Sequence, residues 1–566
     1  MKQFQKFGVA AAVASVATGA VATQQSTSEV GDLAIVPYYS VLDGTNTGIH
    51  VINTSASTQV IKVRLRRATD SKDALDFNVV MSPYDEWTAN IVAGGENGVQ
   101  VRTADTSCTI PQFAGEGTVK TADMPNTYSE GATEGYVEIV AMAQTINELQ
   151  PIAVSAEHGA TGVPADCADV RLNFYRVSAA NVGDATVYGT HTSGLTSNGV
   201  FKTATSAGGP GDNLSYFEDS DNPLKVSFML TDPMGGFEAG DNAVHIEDFS
   251  ENAMMTNQQP LAFSNDGLLK FDPINFELPN LAFGAYVSSV PARAVDAAMT
   301  DGSMMTDLQA ALATEAVLND WAAMDTDDGS VHADWVVTLP GQYTMNNPIC
   351  DMYRDYTSSS ASAVAACNST AAAAYSADHD QLPLLLATAT IEAGTGALLG
   401  YTSNLLLWDR EEQPQIIDTE EPTEEPPGLG FSPNGSADED DPTQVPLYLP
   451  YEVNVLAFGN ADGNTAVESN VKLTVTGLTA DKGWGRLAIQ STNGDPDIWR
   501  LDGTDDEEVA ASVGYTGGFL DVGSTDVAVV GMAVWQRSFA SQAGNNYGRM
   551  VEHSKTSIMS SGSYYE

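Results

Sequence analysis

The chain has 566 residues and carries 24 Lys+Arg against 74 Asp+Glu, a formal charge of −50. A surface of that sign repels nucleic acid and anionic lipid, which argues against partners of those kinds. Hydrophobic residues make up 43% of the chain and charged residues only 17%, so there is enough apolar material for a core, and the acidity belongs to the outside of a folded protein.

Residues 1–22 read as a secretory leader. Lys2 and Lys6 precede the apolar run "FGVAAAVASVATGAVA", which ends in the small-x-small pattern Ala20-Val21-Ala22, so cleavage is expected after Ala22. No later stretch is long and apolar enough to suggest a transmembrane helix, and no cysteine near the cut offers a lipid attachment point. Secretion from the cell, to the medium, the outer surface or the periplasm, is the expectation.

From residue 23 the grammar is that of short strands. In "QVIKVRLRR", residues 59–67, charged and apolar residues alternate from Lys62 to Arg66. Period two places Val63 and Leu65 on one face and Lys62, Arg64 and Arg66 on the other. The reading favours a solvated strand face over an anion-binding stripe, with Asp70, Asp73 and Asp76 as cross-strand partners. "EGYVEIVAMA", "LPIAVSAEHGA", "DVRLNFYRVS" and "LKVSFMLTD" continue the strand pattern between Gly, Asn, Asp and Pro clusters. Together they predict an all-β chain built of sandwich units of the immunoglobulin-like kind.

One segment departs from this. In residues 303–324, Met305, Leu308, Leu312, Val317 and Trp321 follow mostly three- and four-residue steps with Ala as filler, which predicts a small helical insertion. Residues 357–376 form a Ser/Ala-rich loop. Residues 411–447, rich in Pro, Glu and Asp, read as an acidic linker that cannot build a core. The expected organisation is thus a main β region over 23–410 and a C-terminal β unit over 448–566. That unit is either a separate domain or a donor of strands to the first.

The four cysteines, Cys108, Cys167, Cys350 and Cys367, show no C-x-x-C spacing, and behind a secretory leader they read as disulfides. Three pairings are possible; the sequential one, Cys108–Cys167 and Cys350–Cys367, closes local loops and is the expected pairing.

Catalytic signatures are missing: there is no G-x-S-x-G elbow, H-E-x-x-H helix, phosphate loop or dinucleotide fingerprint. Seven histidines leave a triad assembled from distant loops open. Calcium is the cofactor that asks least of this sequence, because acidic Gly-containing turns offer oxygen ligands. The candidate calcium ligands are Asp43 and Asn46; Asp325, Asp327 and Asp328; Asn460, Asp462 and Asn464; and Asp502 and Asp505. None of these loops has the full EF-hand spacing. Tyr38, Tyr39, Tyr84, Trp87, Trp484 and Trp535 are read first as core aromatics and second as glycan platforms.

The phrases "GDLAIVPYYSV", "KVRLRRATDSKDALDFNVVMSPYDEWTA", "GVPADCADVR", "LNDWAAMDTDDGSVHADWVVTLP" and "LLLWDREEQ" are similar, as a set, to those of an uncharacterised family of secreted proteobacterial cell-surface proteins. The resemblance spans most of the chain after the leader. It implies secretion from a Gram-negative cell and a surface role, and it carries no activity and no catalytic residues. The functional expectation is a non-catalytic, acidic cell-surface protein acting as coat, self-assembling subunit or adhesin. The alternative is a secreted hydrolase of glycans or peptides.

Overall fold

The computed structural model describes residues 23–172, 217–249, 308–340, 401–419, 445–489 and 527–556, with short breaks inside these spans. The leader at 1–22, the 357–376 loop, Asp70, Cys350, Cys367 and the calcium candidates Asn460, Asp462, Asn464, Asp502 and Asp505 lie outside the described residues.

The all-β, sandwich-type architecture is what the structure shows, but two segments expected as strands are corrected: "PIAVSAEHGA" and the start of "DVRLNFYRVS" carry the short helices Pro151–Ala156 and Cys167–Leu172 among the described residues. The first sheet has eight strands. Its main path runs Gln24–Gln25, Val244–Glu247, Leu33–Ser40, Glu134–Thr145, Gln59–Arg67, Asp73–Met81 and Cys108–Ile110, and Phe217–Glu218 adds to Glu134–Thr145. The second sheet has six strands in the order Phe237–Asn242, Leu224–Asp232, Asn46–Asn53, Glu86–Ala93, Val99–Thr103 and Lys120–Asp123. Every pair in both sheets is antiparallel. The two sheets meet through alternate side chains, as where Phe77 of the first lies 5.7 Å from Trp87 of the second.

The third sheet has eleven strands. Its path is Asp418–Thr419, Lys472–Thr476, Val453–Phe458, Gly329–Thr338, Ala316–Thr326, Lys482–Ile489, Tyr401–Asp409 and Val445–Leu449, joined by Val530–Phe539, Tyr547–Glu552 and Ser554–Thr556. The sheet therefore crosses the expected boundary at 411–447. Tyr401–Asp409 pairs with both Val445–Leu449 and Lys482–Ile489, and Gly329–Thr338 pairs with Val530–Phe539. Strands on either side of the acidic stretch share one ladder, because composition marks a coreless segment without saying whether its flanks meet.

The helix expected over 303–324 is corrected. Ala316–Thr326 is a strand, and helical backbone is confined to Leu308 and residues 311–312 among the described ones. Val317, Trp321 and Ala323 share one face of that strand and are buried with Trp335, Leu405 and Phe458. Ladders with Gly329–Thr338 and Lys482–Ile489 on its two sides override the helix preference of its alanines.

The first sheet is a middle layer. Leu33–Ser40 and Gln59–Arg67 are buried at every position, whereas Glu86–Ala93 and Leu224–Asp232 in the second sheet alternate between core and solvent. One continuous core runs through both sheets and takes in Val336, Val453, Met532 and Val534 of the third. Two buried carboxylates from different sheets hold one loop at this junction. Asp334 Oδ2 accepts from the backbone N–H of Ala466 (2.6 Å) and Val467 (2.9 Å). Glu134 accepts from Asn470 N (2.7 Å), Ser469 Oγ (2.7 Å) and Tyr38 Oη (2.9 Å). Burial pushes Asp334 up to about 7 against the pull of its backbone donors, and burial raises Glu134 in the same way.

Candidate binding face

The solvent-facing side of the second sheet carries an open groove, and the strand register builds it. His50 lies opposite Ser227 on one side and Thr88 on the other, and Ser227 in turn faces Asn242. In the next row Met229 lies between Gly240 and Gly48, followed by Asn90 and Arg102. The glycines set the depth. A Cβ on Gly240 would sit 2.8 Å from the Phe228 carbonyl oxygen, and one on Gly48 would sit 2.9 Å from Met229 Cγ. Two depressions result, of about 550 Å³ and 530 Å³, and both are lined by Asn90. Asn46, Thr231 and Arg102 belong to the second of them.

The polar groups of the groove are unevenly committed. Arg102 Nε donates to Gln100 Oε1 at 2.6 Å, and Gln100 donates to Asp123. His50 Nε2 lies 3.0 Å from Glu86 Oε1, an approach without hydrogen-bond geometry, with the two side chains 39% and 60% exposed. The Thr88, Asn90, Ser227 and Asn242 side chains make no hydrogen bond to any described residue.

The basic stretch is not the solvated face expected from its alternation. Lys62, Arg64 and Arg66 are 0%, 1% and 3% exposed, and Arg67 is buried too. The period-two pattern holds: Lys62, Arg64 and Arg66 share a face with Asp76 and Glu138. That face is covered because the third sheet reaches over it, where Tyr136 Oη lies 3.4 Å from Glu452 Oε1 and Val453 N donates to Ala68 O. Charge balance makes the burial tolerable. Lys62 Nζ lies 3.0 Å and Arg64 Nη2 3.4 Å from Asp76 Oδ2, and Arg66 Nε lies 3.0 Å from Glu138 Oε1. Asp76 is thus the expected cross-strand partner, while neither amide atom of its neighbour Asn78 finds a hydrogen bond.

The described calcium candidates are placed apart. Asp43 sits at φ +46° in the turn before Asn46, whose amide donates to Gly44 O at 3.3 Å. Asp327 and Asp328 are exposed in the hairpin turn after Thr326, and Asp325 Oδ1 lies 3.1 Å from His332 Nε2. Among the described residues, no three His, Cys, Asp or Glu side chains converge as a metal site. Cys108 and Cys167 form a disulfide with Cα atoms 5.2 Å apart, tying an edge strand of the first sheet to the second short helix.

Among the described residues, His158 has a serine and a carboxylate beside its ring. Its Nδ1 is 3.1 Å from Ser82 Oγ and 3.6 Å from Asp85 Oδ2, and its Nε2 is 3.2 Å from Thr106 Oγ1. Thr106 gives its own proton to Gly162 O at 2.7 Å, so it accepts from Nε2–H. Ser82 is only 6% exposed, which shuts its hydroxyl away from any substrate. Of the aromatic candidates, Tyr38, Tyr39 and Trp87 are core residues, and Tyr84 is exposed in a turn. Trp535 lies under the Arg549 guanidinium, and Trp484, 40% exposed, stacks on Trp408 at 4.3 Å.

No protein-family model matches this chain, and neither a curated protein nor a solved structure matches it. No helix among the described residues is long and apolar enough to cross a membrane.

Proposed function

We propose that this is a secreted, acidic cell-surface protein that works by binding through the open face of its second sheet. The observation that carries the reading is the groove itself: a glycine-deepened surface with four polar side chains that make no hydrogen bond to the described protein. The leader-like N-terminus and the resemblance to secreted proteobacterial surface proteins support the location. Fractionation of producing cells, with protease treatment of intact ones, tests it: the processed chain is expected outside the cytoplasm and accessible. The double variant Asn90→Ala with Asn242→Ala tests the groove. Labelled wild-type protein should bind intact cells or envelope fragments, and the variant should bind them much less. Equal binding by both proteins overturns this reading.

A hydrolase is the second reading, and the approach of His50 to Glu86 with Ser227 directly opposite favours it. Two features weigh against it. The groove is open to water, and the N–H groups of the strands beneath it are engaged in ladder pairing rather than left to stabilise an oxyanion. Hydrolysis of a glycan or peptide that disappears in Ser227→Ala would reverse the preference.

A further inference from the structure

The chemistry of the groove narrows its ligand, an argument that rests on the binding role proposed above. We propose that the groove takes a neutral oligosaccharide chain. Thr88, Asn90, Ser227 and Asn242 each offer both a donor and an acceptor, and this matches a ligand whose hydroxyls do the same. None of the four side chains makes a hydrogen bond to another described residue. Met229, 38% exposed between Gly48 and Gly240, supplies a soft apolar patch against which the C–H face of a sugar ring can lie.

The shape asks for an extended ligand. The row from Gly240 through Met229, Gly48 and Asn90 to Arg102 crosses five adjacent strands, roughly 19 Å at the usual strand spacing. A peptide is disfavoured because strand addition needs a sheet edge, and here the ligand meets side chains over paired backbone. An anionic polymer is disfavoured by Glu86 within the groove and by the charge of −50 on the whole chain.

Affinity electrophoresis of the processed full chain tests the assignment. Native gels would contain soluble neutral polysaccharides (dextran, mannan, laminarin, xyloglucan) or anionic ones (alginate, polygalacturonate). Retardation by at least one neutral polymer is expected, with an apparent affinity roughly tenfold weaker in the Asn90→Ala, Asn242→Ala double variant, as the loss of two hydrogen bonds implies. Trp484→Ala, outside the groove, should be retarded like wild type. Retardation by the anionic polymers alone, by none of the polymers, or equally in wild type and double variant overturns the proposal. If the double variant loses cell binding while no neutral polymer retards wild type, the ligand class is wrong and the binding face stands. If cell binding also survives the double variant, the binding face falls with it.

Discussion

Replacing Asp334 by asparagine should change how stability depends on pH. The carboxyl is fully buried, and it is held at about 7 from an ordinary value of 3.8. A folded-state value above the unfolded one means that the native protein holds the proton more tightly. The stabilisation is complete below about pH 4 and is lost as pH rises through 7. A shift of about three units, at roughly 1.36 kcal/mol each, makes that loss about 4 kcal/mol. The amide side chain of the Asp334→Asn variant would keep the size and an oxygen for the N–H groups of Ala466 and Val467, but it would not titrate. Its NH₂ would replace Oδ1, which has no hydrogen-bond partner, at a cost that is constant with pH. Urea denaturation of both proteins from pH 4 to pH 8 at fixed ionic strength reads the difference. Wild type should lose about 4 kcal/mol relative to D334N across that range. Parallel curves for the two proteins would refute the argument, because they would show that Asp334 titrates alike in the folded and unfolded chain.

Other consequences follow from the same geometry. Asp76→Ala removes the acceptor shared by Lys62 and Arg64 inside the protein and should cost about 3–5 kcal/mol, measured as a lower urea midpoint. Cys108→Ser with Cys167→Ser opens a link across a sequence separation of 59 and should cost about 4 kcal/mol by loop entropy, measured as a lower urea midpoint under non-reducing conditions. Burial, aided by nearby lysine charge, holds His245 and His553 down at about 4, so both stay neutral at pH 5. Their contribution is complete above about pH 6.5 and is lost as pH falls towards 4; ring-proton chemical shifts that move between pH 5.5 and 7.5 would contradict this.

Strand alternation was legible because it is a local property. The pattern of "LKVSFMLTD" names its inner and outer residues without help from the rest of the chain, and the structure places them so. Whether an outer face meets water is not local. Lys62, Arg64 and Arg66 alternate as any wet strand does, and what covers them includes Glu452 and Val453, from a distant part of the chain. The strand at Ala316–Thr326 misled for a different reason: alanine fits either period, and its partners decided. The groove was half legible. Ser227, His50 and Thr88 could each be assigned to a solvent face, but their meeting depends on the register of strands far apart in sequence. Gly48 and Gly240 were the missed signal, two small residues in strands where β-branched ones are usual.

The order in which the sheets can close gives the charged inner layer a second meaning. Every strand of the first two sheets lies before residue 248, whereas the third draws on residues 316–556. As the chain emerges outside the cell, N-terminus first, the early sandwich can therefore assemble while the far side of its first sheet still awaits its cover. An oily surface there would invite neighbouring chains to stick for as long as the rest of the polypeptide took to emerge. Lysine, arginine and carboxylate side chains keep that side wet until Val453 and its neighbours arrive, so a feature that looks wasteful in the finished molecule protects the unfinished one.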